Sequence, residues 1–202
     1  MTIRLRDDLD IIQNWIAPES RVLDLACGNG DFLRELMDNK SILGYGLEID
    51  RELIIQCIEK KVNVIEQDLN RGLTNFKDKS FDTVVMTQAL QIMRRPDLVL
   101  DEMLRVGNEC IVTFPNFGNL FSRIYLAFYG RMPVTKQLSY EWYETPNIHF
   151  CTIRDFEILC QEKGIEILHR QVVAERFPNR LLKDFRPNIF GETAIYHLRN
   201  NP

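Results

Sequence analysis

Three carboxylates close three apolar runs in this chain: Asp24 in Val22-Leu23-Asp24-Leu25, Glu48 in Gly46-Leu47-Glu48, and Asp68 in Ile65-Glu66-Gln67-Asp68. A turn of small residues, Ala26-Cys27-Gly28-Asn29-Gly30, follows the first. Carboxylates accept hydrogen bonds from hydroxyls and amines and attract cations. Glycines let a ligand approach the backbone closely. Three acids at successive strand ends line a crevice outside the edge of a sheet.

Three ligand classes use a glycine turn after a first strand. A phosphate loop needs G-x-x-x-x-G-K-[ST], because a lysine must meet the phosphates. No lysine or Ser/Thr follows Gly30 at that spacing. A dinucleotide turn needs G-x-G-x-x-G, and Leu33 stands where the last glycine belongs. The third ligand, S-adenosylmethionine, has no phosphate. It carries an ammonium, a carboxylate, a sulfonium, a ribose diol and an adenine. Asp24, Gly28 and Gly30 suit its charged end. Glu48, eighteen residues after Gly30, is near the spacing of about 20 expected for a ribose-binding acid. Asp68 is placed to accept from the adenine amino group. Ala26 costs roughly 1 kcal/mol if its φ is positive and little if it is extended. Cys27 reads either as a thiol acidified by a helix N-terminus or as a small packed residue.

The elements that must hold these residues alternate. Strands are expected at 22–25, 42–48, 62–65, 81–86, 110–114, 165–172 and 193–198. Helices are expected at 7–17, 30–37, 51–60, from Pro96 to about 106, and 152–163. Asp50 is a natural N-cap, and Pro96 suits a first helical turn. Ile54, Cys57 and Ile58 have core spacing, as do Leu98, Leu100, Met103, Leu104 and Val106. The alternation predicts an α/β fold: a doubly wound, mostly parallel seven-stranded sheet with right-handed crossovers. A helical insertion, about 115–151, follows strand 5. In it Phe117, Leu120, Phe121, Ile124, Tyr125 and Phe128 share one stripe, which reads first as core and second as a lid or docking face. Residues 174–190 read as loop, and their basic cluster (Arg176, Arg180, Lys183, Arg186) as solvated or as facing an acidic partner. No repeat or linker divides residues 1–202, so one domain is expected.

The motifs together resemble a class I S-adenosylmethionine-dependent methyltransferase of the Rossmann-like type. LDLACGNGDF is similar to that superfamily's first motif, usually LDLGCGxG; GLEID to its second, EQDL to its third, and SFDTVV to the approach to its fourth strand. The resemblance implies S-adenosylmethionine or S-adenosylhomocysteine as cofactor. Its contacts would be Asp24, Ala26, Cys27, Gly28, Gly30, Glu48, Ile49, Asp68, Leu69 and Gln88. NVIEQDLNRGL (63–73), DEMLRVG (101–107), FPNFGN (114–119), GRMPVTKQLSYEWYETPNIHFCTIRDFE (130–157) and NIFGETAIY (188–196) resemble a narrower group, the MetW family of methionine biosynthesis. That resemblance implies a partner, homoserine O-acyltransferase, which makes O-acetyl- or O-succinyl-homoserine.

Methyl transfer to oxygen or nitrogen often needs a base. It would come from a strand end (Thr87, Gln88, Gln91, Pro115 or Asn116) or from the insertion (Tyr140, Tyr143, Glu144 or His149). His149 and Tyr143 are the catalytic candidates, with a structural histidine as the alternative for His149. His169 and His197 read as structural. Either a binding partner of the acyltransferase, an active methyltransferase or a scaffold with a vestigial site fits these residues.

The bulk composition bounds the rest. The chain has 202 residues and a formal net charge of −4, so its summed field gives no reason to bind nucleic acid. The N-terminus, MTIRLRDDLDIIQNW, lacks the apolar core of a signal peptide. No apolar run approaches the ~20 residues of a membrane span. Five scattered cysteines without C-x-x-C spacing indicate neither zinc nor a redox pair. A cytoplasmic protein is expected.

Overall fold

The computed structural model describes residues 6–135, 138–174, 177 and 179–201; Arg176 of the basic cluster lies outside them. Strand β1 (Arg21–Leu25) is buried from Val22 onward because it runs between β2 (Leu43–Glu48) and β4 (Phe81–Thr87). Such a strand must be apolar on both faces. Val22 packs into one cluster with Ile12, Leu33 and Val85, and Leu23 into another with Val84, Leu100 and Met103. Helices therefore cover both faces of the sheet.

The seven strands lie in the order β3-β2-β1-β4-β5-β7-β6, with β3 (Asn63–Glu66), β5 (Gly107–Pro115), β6 (Ile165–Val173) and β7 (Thr193–Asn200). Strands β1 to β5 pair in parallel, whereas β7 is antiparallel to both β5 and β6. The chain steps outward from β1 to β3 and returns to β4 beside β1. The order reverses there, and ligands of such sheets bind at that reversal, beyond the carboxyl ends of the strands.

Around the sheet run α1 (Asp7–Ile12), α2 (Asp31–Lys40), α3 (Arg51–Glu59), α4 (Pro96–Val106), α5 (Leu120–Tyr129), α6 (Ile153–Glu162) and two single turns, α7 (Asn179–Leu182) and α8 (Pro187–Phe190). Asp50 caps α3 by accepting from the Glu52 and Leu53 amides. Pro96 occupies the first turn of α4. His197 is buried against Glu109 and stacks on Trp15, as does the exposed His169.

Three expectations need correction. The stripe on α5 is not core: Phe121, Ile124 and Phe128 are exposed, the last by 82 %, and Ser122 is the buried residue of that helix. Ile58 on α3 and Leu98 on α4 are likewise exposed, and Cys57 is the buried residue of α3. That helix flanks the edge strand β3, which offers little surface to cover. Residues 174–190 are not all loop, because α7 and α8 fall within them.

Candidate functional site

The turn after β1 is tied down from three sides. The Cys27 amide donates to the Leu47 carbonyl at 3.1 Å. Lys60 donates to the Asn29 carbonyl at 2.9 Å and pairs with Asp31 at 2.6 Å. The Glu48 carboxylate accepts from the Gly28 amide at 2.9 Å through Oε2, and from the Ile49 and Asp50 amides at 2.7 and 3.1 Å through Oε1. Gly30 is needed twice over: its φ is +76°, and a Cβ would sit 2.9 Å from Cys57 Sγ. Ala26 has φ +57°, so its methyl is held in the left-handed region at a cost of about 1 kcal/mol.

Cys27 is not acidified. Its sulfur lies 3.9 Å from Cys57 Sγ, and burial pushes its thiol pKa up. Cys57 in turn donates to the Gly28 carbonyl at 3.2 Å. The helix N-terminus is outweighed because the sulfur sits in the core, where a thiolate would be poorly solvated.

The three acids have three different environments. Asp24 is 2 % exposed, and its Oδ1 has no hydrogen-bond partner among the described residues. Burial pushes its pKa up to about 8; Arg6 opposes the rise and Glu48 adds to it. Asp24 is therefore mostly protonated at neutral pH. Glu48 is 7 % exposed and holds the loop. Asp68 accepts from the Asn70 amide at 2.9 Å, which caps the turn Leu69–Arg71 and lowers its pKa. Ile49 is 60 % exposed beside Glu48, while Leu69 is buried.

At the end of β4, Gln88 has φ +56° and its amide donates to both the carbonyl and the hydroxyl of Thr113 at 3.0 Å. The Thr113 hydroxyl in turn donates to buried Asp8 at 3.4 Å. Gln91 donates to the Gln88 carbonyl at 2.7 Å, and its Oε1 is buried without a partner among the described residues. The Gln91 carbonyl accepts from the amides of Ile148 and His149, each at 3.0 Å. The far end of the insertion is thus strapped to the end of β4.

The base candidates are not drawn in. His149 is exposed with Nε2 3.3 Å from the Arg94 carbonyl. Tyr143 is 66 % exposed and packs edge-on against Trp142; Tyr140 and Glu144 are exposed too. Among the described residues no hydrogen bond joins any of these to Asp24, Glu48 or Asp68. Asn116 is fully engaged elsewhere. Its Nδ2 donates to the carbonyls of Gly191 (2.8 Å) and Asn188 (3.2 Å), and its Oδ1 accepts from the amides of Gly118 (3.0 Å) and Ile153 (3.3 Å). It joins β5, α6 and α8 rather than serving as a base. Pro115 is paired with Thr193 in the sheet.

Sequence reasoning missed Arg6, Asp8 and Cys57 as neighbours of this site. Their positions in the chain carry no motif that would have signalled them. Among the described residues no His/Cys/Asp/Glu group is arranged to hold a metal ion.

Residues 6–198 match the sequence profile of the family described as methionine biosynthesis protein MetW. The chain belongs to that family. It is 32 % identical over 209 residues to the bifunctional methionine biosynthesis protein MetXA/MetW of Rhodopirellula baltica. The match covers 98 % of this chain but 34 % of that relative, so the chain spans about a third of the relative's length. A putative methyltransferase from Bacillus halodurans shares the fold with a TM-score of 0.69 and 13 % identity, over 97 % of this chain and 99 % of that one. An S-adenosylmethionine-dependent methyltransferase from Mesorhizobium loti does so with a TM-score of 0.68 and 15 % identity, over 95 % and 96 %. The MetW-family chain thus has the methyltransferase-type Rossmann-like fold. Among the described residues no helix is long and apolar enough to cross a membrane.

Proposed function

We propose that the protein binds S-adenosylmethionine at the ends of β1 to β4 and supports methionine synthesis as a partner of homoserine O-acyltransferase. The observation that carries the cofactor reading is a pair of buried oxygens without hydrogen-bond partners among the described residues, Asp24 Oδ1 on β1 and Gln91 Oε1 in the short turn Leu90–Ile92 that follows β4, on either side of the reversal of strand order. A buried acceptor without a donor costs about 1–3 kcal/mol, and a cationic ligand with N–H groups removes that cost.

The residues fit this cofactor, group by group. Asp24 would take the ammonium, giving up its proton as it does so. Glu48 would exchange part of its hold on the loop for the ribose hydroxyls, and Asp68 would accept from the adenine amino group. Ile49 and Leu69 would flank the ring. Ala26, Cys27, Gly28, Gly30 and Gln88 would present backbone. The cofactor supplies an electrophilic methyl group when bound, but among the described residues no candidate base is hydrogen-bonded to these acids, which favours a binding role over turnover. A feedback role follows naturally, since S-adenosylmethionine is made from the product of the pathway.

The partner reading is supported by the relative's name, which joins MetXA and MetW in one chain. It is also supported by the exposed aromatic surface of the insertion, where Phe128, Tyr129, Trp142 and Tyr143 are each more than 60 % exposed. Trp and Tyr are favoured anchors at protein interfaces.

Calorimetric titration with S-adenosylmethionine and S-adenosylhomocysteine tests the cofactor. Co-purification with the acyltransferase, and its rate with and without this protein, tests the partnership. No complex and no change in rate would end that part. The full acid series favours a second reading, an active methyltransferase. Labelled methyl transfer from S-adenosylmethionine to a component of cell extract would establish it in place of the binding role.

A further inference from the structure

We propose that a cavity of about 520 Å3 walled by α5, α6, β6 and α8 is a second binding site. It takes a small oxyanion, phosphate or carboxylate, that also carries a hydrogen-bond donor. The cavity borders β6, the edge strand at the other end of the strand order from β3, β2 and β1, which lead to the three acids. Strand β6 is four places from β1 in the sheet, roughly 19 Å at about 4.8 Å per strand. The inference therefore does not rest on cofactor binding.

Four arginines line this cavity, Arg123, Arg154, Arg170 and Arg186, against one acidic residue, Glu157. That is an excess of three positive charges in a protein whose formal net charge is −4. Glu157 neutralises only one of them: it pairs with Arg170 at 2.7 Å and accepts from the Tyr196 hydroxyl at 2.9 Å. Arg123 spends its Nε on the Gly118 carbonyl, which fixes the side chain and leaves its terminal amines for other acceptors. Arg186 lies over the Phe185 ring, 5.8 Å from its centroid. Among the described residues Arg123, Arg154 and Arg186 have no carboxylate partner.

Like charges gathered from four separate elements repel one another. An oxyanion removes the repulsion and matches the planar fork of arginine with paired N–H donors. A second feature refines the ligand. Asn188 belongs to the same wall, and its Oδ1 is buried with no hydrogen-bond partner among the described residues. Turned toward the cavity, that acceptor would take a donor, which a hydrogen phosphate, a hydroxy acid or an amino acid supplies and a bare sulfate does not. The volume falls within the range of about 300–1,000 Å3 usual for small-molecule pockets, which favours a metabolite over a protein surface.

Calorimetry and thermal unfolding at constant ionic strength test the site, with inorganic phosphate, pyrophosphate and citrate as probes. Saturable binding of at least one probe is expected, weakened at least tenfold in Arg154→Ala/Arg186→Ala. The doubly conservative Arg154→Lys/Arg186→Lys variant should fall between, because it keeps charge but loses the fork. Both side chains are exposed and the alanine changes remove repelling charges, so the variants should unfold at or above the wild-type temperature without ligand, which separates lost binding from lost fold. Binding of phosphate or pyrophosphate alone would assign the site to phosphate compounds, and of citrate alone to carboxylates. Three results overturn the proposal: no saturable response to any probe, equal binding by the double alanine variant, or a response confined to an acidic polyglutamate peptide.

Discussion

The crevice at the ends of β1 to β4 and the insertion after β5 are incomplete in opposite senses. In the crevice polar atoms are buried and lack donors, as at Asp24 Oδ1 and Gln91 Oε1. In the insertion apolar side chains are presented to solvent, as at Phe128 and Trp142. A small polar ligand completes the first, and a protein surface completes the second. The two meet where the Gln91 carbonyl accepts from the amides of Ile148 and His149, so occupancy of one can be felt at the other.

The comparison breaks most readily at the acids. Glu48→Ala should abolish S-adenosylmethionine binding, with a loss of at least about 100-fold by calorimetry, because Glu48 holds the loop as well as its proposed ribose contact. Asp24→Ala should do the same, whereas Asp68→Ala should cost about tenfold or less, since Asp68 is partly solvated. Equal losses at all three positions would show that burial does not rank them.

On the other region, Phe128→Asp/Trp142→Asp should weaken retention on immobilised acyltransferase by about tenfold or more, in line with typical costs of losing interface anchors. Cofactor titration and the melting temperature should stay as in the parent. A change in cofactor affinity alone would put the two regions in the wrong roles.

The pH dependence sharpens the crevice. Asp24 has a native pKa of about 8, raised from 3.8. The native state therefore keeps a proton that the unfolded chain gives up. Between about pH 4 and 8 this group makes stability fall as pH rises; Asp24→Asn should flatten that fall in denaturant titrations. Binding of an ammonium must displace the same proton. Affinity for S-adenosylmethionine should rise close to tenfold from pH 6 to 7, with a binding enthalpy that depends on the buffer. The smallest effect is expected from Ala26→Gly, which relieves the left-handed alanine and should add about 1 kcal/mol to unfolding stability.

Much of the crevice was legible because its signals are local. The apolar runs of β1 and β4, the glycine turn and the Asp50 cap each follow from neighbouring residues. The insertion was legible only as a pattern: its spacing shows that α5 has one apolar face, and nothing in that spacing says whether the face is covered. Asn116 looked like a residue free to act at a strand end. Its partners lie as far as Gly191, and no local pattern reports a bond to so distant a carbonyl.

The sequence by itself determined the strand order's raw material, the identity of the turn and the three acids, because hydrophobic periodicity and backbone freedom are properties of short stretches. Only the tertiary structure decided that Asp24 holds a proton, that Cys27 is packed rather than reactive, and that four arginines face one cavity. Solvation and Coulomb interaction depend on which distant segments arrive beside a group, and folding alone brings them there.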